Sequence, residues 1–99
     1  MGFFDSVIYS TAEHQLTEIE VRRLVTYLHI PSLKGESERE KMVQNAILAR
    51  RHSDGKVSLQ QIYELLNTLK NQNTISKFVR DETMNALKVY YSEHFPAIT

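Results

Sequence analysis

One stretch constrains the fold more than any other. His52-Ser53-Asp54-Gly55-Lys56-Val57-Ser58-Leu59-Gln60-Gln61-Ile62 packs a turn, a helix start and the first positions of an apolar face into a single run. Asp54-Gly55 is a turn pair, because Asp bonds its own backbone and Gly accepts positive φ without a Cβ penalty. Ser58 with Gln61 three residues on is a capping box, and Val57 and Ile62 flank it as a hydrophobic staple. The run predicts a helix that has ended by His52, a tight joint, and a second helix starting at Ser58.

The same joint resembles an EF-hand calcium loop over about a dozen residues. Asp54, Gly55, Val57 and Ser58 match that loop's fifth, sixth, eighth and ninth positions. The alignment puts Arg50 in the first ligand position, His52 in the third and Gln61 in the last. A cation replaces the first carboxylate, and a neutral amide replaces the bidentate Glu. The expectation is an EF-hand-like turn without calcium ligands.

Similar start signals recur along the chain. Ser10 with Glu13, Thr17 with Glu20 and Ser37 with Glu40 are further capping boxes. Leu16 and Val21 add a staple to the second, so helix one begins either near Thr11 or anew at Thr17. Val21, Leu24, Val25 and Leu28 continue its apolar stripe, and Pro31 ends it near His29 or Ile30. Helix two follows Ser37, with Met42, Val43, Ala46, Ile47 and Ala49 as its inward set. Its acidic start (Glu36, Glu38, Glu40) and basic end (Arg50, Arg51, His52) suit the helix dipole. Helix three runs from Leu59 to about Lys70 and carries the widest apolar face. Asn73 or Thr74 caps helix four, which reaches His94 or Phe95 before Pro96. Its inner face reads as Ile75, Phe78, Val79, Ala86, Leu87, Tyr90 and Tyr91, with a bend or break expected at the polar run Arg80-Asp81-Glu82-Thr83. Phe3, Phe4, Val7 and Ile8 fit a short N-terminal helix or turn. The expected fold is all-α, one domain over residues 1–99: a small four-helix bundle with that N-terminal element packed on it.

Composition narrows function by exclusion. Ninety-nine residues without Cys carry no disulfide framework, thiolate metal site or thiol nucleophile. The apolar runs fall short of the ~20 residues of a membrane span, so a soluble, cytoplasmic protein without membrane partners is expected. Met1-Gly2 with Ser6 matches the short N-myristoylation pattern in form only. His14, His29, His52 and His94 are far apart and lack HExxH spacing, so no metal is expected. No GxSxG, GxGxxG or P-loop is present, and neither an enzyme nor a cofactor is expected.

Two functional readings remain. Twelve Lys and Arg balance twelve Asp and Glu overall. Residues 34–56, however, hold six basic against four acidic side chains. Arg50, Arg51 and Lys56 thus form a candidate nucleic-acid-binding corner, although most phosphate-driven affinity needs more cations than these. The aromatics gather at the termini, with Phe3, Phe4 and Tyr9 at one end and Tyr90, Tyr91 and Phe95 at the other. They either close the core or leave Phe3, Phe4, Tyr90 and Tyr91 as a partner-binding or homodimer patch. The first reading is a small non-enzymatic regulator or inhibitor that acts on another protein; the alternative is a nucleic-acid-binding regulator. In size and plan the chain is similar to small bacterial and phage helical proteins, bacteriocin immunity proteins among them. That likeness is of architecture and implies no activity.

Overall fold

Thr17 and Ser58 start helices by the same device. The Thr17 hydroxyl accepts from the Glu20 amide at 3.2 Å, and the Glu20 carboxylate accepts from the Thr17 amide at 2.8 Å. The Ser58 hydroxyl accepts from the Gln61 amide, and the Gln61 side-chain oxygen accepts from the Ser58 amide, both at 3.0 Å. Each box satisfies two amides that a helix start would otherwise leave without partners. These contacts come from a computed structural model, which describes residues 9–27 and 37–95.

The described chain is mostly helical. Helix α1 spans Glu18–Tyr27, α2 Ser37–Arg50, α3 Leu59–Asn71 and α4 Lys77–His94. Ser76 caps α4 by accepting from the Val79 amide at 3.1 Å, rather than Asn73 or Thr74. Asn73 instead takes a left-handed turn at φ 62°, a conformation Asn tolerates. Packing runs α1 on α2, α2 on α3, α3 on α4, and α4 back on α1.

The all-α expectation is corrected by a small sheet. Strand β1 (Glu13–Gln15) pairs antiparallel with β2 (Lys56–Ser58), His14 opposite Val57. Ser10 and Glu13 therefore do not start a helix; the segment they occupy lies across the α2–α3 joint. The Leu16 amide donates to the Gly55 carbonyl at 3.0 Å, and the Gln60 amide donates to the Ser10 carbonyl at 3.1 Å. Gly55, at φ +83°, supplies the left-handed corner that lets β2 turn back along β1.

Leu16, Val21, Val25, Val43, Ile47, Val57, Ile62, Leu66, Met84 and Leu87 form the fully buried centre of the core. Each contributes about 1.5–3 kcal/mol through burial, somewhat less for the smaller valines. Three inward assignments change sides. Met42, Ala49 and Phe78 face solvent, while Gln44 and Arg80 are buried. Gln44 accepts from Arg22 Nη1 of α1 at 2.7 Å, which makes its burial affordable. The polar run Arg80–Thr83 does not break α4, and its buried members are satisfied within the fold. The Thr83 hydroxyl donates to the Val79 carbonyl at 2.8 Å. Arg80 donates to Asn67 at 2.8 Å and Asp81 at 3.0 Å, and its guanidinium lies 5.3 Å from the Tyr63 ring centroid. The expected N-terminal helix, Phe3, Phe4, His29 and the tail Ala97–Thr99 lie outside the described residues.

Candidate functional site

The α2–α3 joint is where the sequence concentrated its candidate chemistry, and Arg51 dominates its geometry. Helix α2 ends at Arg50, and the Arg51 side chain turns back into the joint. Its Nη1 donates to the Leu16 carbonyl at 2.8 Å, and its Nε donates to the Leu48 carbonyl at 3.3 Å. Leu16 follows β1 and Leu48 sits in the last turn of α2, so one guanidinium ties the two segments together. The fork geometry suits this role, since its donors point in fixed directions. Where an EF-hand loop gathers oxygens around an ion, this joint gathers two carbonyls around its own cation.

The loop's other polar groups are also turned inward on the joint. Asp54 Oδ1 accepts from the Lys56 amide at 3.0 Å, and the His52 amide donates to the Lys56 carbonyl at 2.9 Å. His52 Nε2 and Gln61 Nε2 each lie 2.9 Å from the same oxygen of Glu13. This exposed Glu13–His52–Gln61 cluster links β1, the joint and α3. Among the described residues no three His, Asp or Glu side chains converge as metal ligands do.

Of the nucleic-acid candidates, Lys56 is exposed, Arg50 is half-buried and Arg51 is held by the two carbonyls. Arg22 of α1 bonds Glu18, Gln44 and Asn45. Of the three candidate cations, only Lys56 is exposed.

In the last turns of α4, Tyr90 and Tyr91 are 9% and 3% exposed. The Tyr91 hydroxyl donates to the Val57 carbonyl of β2 at 2.8 Å, and the Tyr90 hydroxyl donates to Glu20 of α1. His14 stacks on Phe95 with centroids 4.0 Å apart, and His94 stacks on Tyr90 at 3.9 Å. These two tyrosines close α4 against α1 and the sheet. Phe3 and Phe4, the other half of the candidate aromatic patch, lie outside the described residues.

Burial pushes both phenols up from their ordinary value, reinforced at Tyr90 by the Glu20 carboxylate and at Tyr91 by its neighbour Tyr90. Burial also acts to raise Glu20, but the Tyr90 hydroxyl, the Thr17 bonds and His94 together hold it below the usual range. The folded chain thus keeps phenolic protons that the unfolded chain releases near pH 10. The unfolded state then binds fewer protons, so stability falls as pH rises above about 10. An alkaline series of thermal melts is expected to show that loss, and Tyr91→Phe to flatten its slope.

The large apolar side chains that the fold leaves exposed include two that the sequence pattern places inward, Met42 and Phe78. Phe78 was assigned inward on α4, whereas Val79, Thr83 and Leu87 take that face. Val79, Thr83 and Leu87 stand at helical spacing, and only the polar side chain of Thr83 makes the stripe look interrupted in sequence. No helix among the described residues is long and apolar enough to cross a membrane. Comparison with known proteins finds no matching family model, no matching curated protein and no matching solved structure.

Proposed function

We propose that this chain is a small non-enzymatic regulatory or inhibitory module, a four-helix bundle clamped by a β ribbon, that acts by docking on another protein. The observation that carries the reading is a set of large apolar side chains left in solvent. Ile19 is 70%, Met42 46%, Phe78 58% and Val89 52% exposed. Phe and Met are among the residues enriched at protein interfaces relative to the rest of the surface. The polar side chains of the joint support the same reading, since Arg51, Asp54 and Gln61 bond the fold itself.

Affinity capture from the native cell tests it, followed by reconstitution of the purified pair. Ile19→Asp, Met42→Asp or Phe78→Asp is expected to abolish binding while leaving the helical circular dichroism unchanged. If all three leave binding intact, these side chains do not carry the function. The nucleic-acid alternative, worked from Arg50, Arg51 and Lys56, predicts salt-sensitive retention on DNA that Arg50→Ala with Lys56→Ala removes. No retention at low salt eliminates it.

A further inference from the structure

The solvent face of α4 carries a repeat. Lys77, Phe78 and Glu82 recur eleven positions on as Lys88, Val89 and Glu93. Eleven residues make three turns of about 3.67 residues each, so the repeat runs almost straight along the helix. Phe78 and Val89 lie on one line, about 16 Å apart, with Asn85 between them. Val79, Thr83, Leu87 and Tyr90 of the same helix are buried, which places that line directly away from the core. Glu82 and Glu93 flank it on one side, and Lys77 and Lys88 on the other.

We propose that this face pairs α4 with α4 of a second copy of the chain, side by side and parallel. The inference deepens the interaction-module reading by naming one partner for one part of its surface. A two-fold axis along the helices brings each flank against the opposite flank of the copy. Lys77 then faces Glu82 of the copy, and Lys88 faces Glu93, each five residues on. That offset is how flanking charges pair across a parallel coiled coil. An antiparallel pairing would set Glu82 and Glu93 against the same carboxylates and Lys77 and Lys88 against the same ammoniums, so the charge pattern selects the parallel form.

The four charges have little else to do. Lys88 has Met84 and Ser92 at four residues on either side, Glu82 has Phe78 and Ala86, and Glu93 has Val89. Lys77 has Asp81 four residues on, but Asp81 is paired with Arg80. Among the described residues none of the four makes an ion pair. Asn85 would meet its own copy midway, the place where a single polar residue fixes register. With a formal charge of zero, the chain has no long-range repulsion against its copy.

Sedimentation of the full chain across concentration and salt tests the proposal. The wild type is expected to dimerise reversibly and to weaken with salt. Lys77→Glu/Lys88→Glu and Glu82→Lys/Glu93→Lys should each weaken self-association roughly 100-fold, four attractive contacts becoming repulsive. Mixing the two variants in equal amounts should restore the dimer. In this Cys-free chain, Ser92→Cys should cross-link to itself only in the parallel form. A wild type that stays monomeric overturns the proposal, as does a dimer indifferent to both charge reversals or one in which Ser92→Cys does not cross-link. A monomeric wild type that still captures another protein through Phe78 removes self-pairing alone and leaves the module reading standing.

Discussion

Leu16→Ala is expected to lower stability by about 2–5 kcal/mol, the range for truncating a fully buried Leu. Leu16 belongs to no helix, yet none of its surface is exposed. It follows β1 directly, its amide donates to Gly55, and its carbonyl accepts from Arg51. A domain of this size commonly has about 5–15 kcal/mol in total, so the variant should lose a large share of its stability. In thermal melts each kcal/mol corresponds to roughly 4–8 °C, which makes a fall of more than ten degrees the expected readout. A loss below about 1 kcal/mol in chemical denaturation would mean that the ribbon is a surface ornament rather than part of the core.

Arg51→Ala is the second large effect, about 1–3 kcal/mol. It leaves the partly buried Leu16 carbonyl without its donor and takes one of two donors from the Leu48 carbonyl. Arg51→Lys keeps the charge but loses the fixed fork, so it should recover only part of the loss. Arg50→Ala, one residue earlier, is the control and should stay within about 0.5 kcal/mol. Equal effects at the two positions would show that net positive charge at the end of α2 matters, and not the bond to Leu16.

The parts of the fold that were legible in the sequence are those set by local rules. Ser58 with Gln61 and Thr17 with Glu20 announce helix starts because a cap and its partner are three residues apart. The ribbon was not legible, because its strands lie more than forty residues apart and are three residues each. Glu13-His14-Gln15 has no β-branched residue, so propensity gives no sign of a strand. Tertiary pairing with Val57 imposes it. Arg80 and Thr83 misled for a related reason. Polar residues in an apolar pattern read as an interruption, whereas Asn67, Asp81 and Tyr63 receive Arg80, and Val79 receives Thr83. The position of Arg51 within the candidate site was equally hidden, since its acceptors are backbone carbonyls that no sequence pattern marks. The exposed repeat on α4 was present in the letters and became visible only once the buried face of that helix was known.

β1 and Arg51 lock the α2–α3 joint into the body of the fold. Amide hydrogen exchange at Leu16 and Gln60 tests it most directly, since these amides donate across the joint to Gly55 and Ser10. Protection approaching that of Leu66 in the buried face of α3, falling sharply in Arg51→Ala, is the result expected of a locked joint. Exchange at the rate of an open loop in the wild-type chain would contradict it.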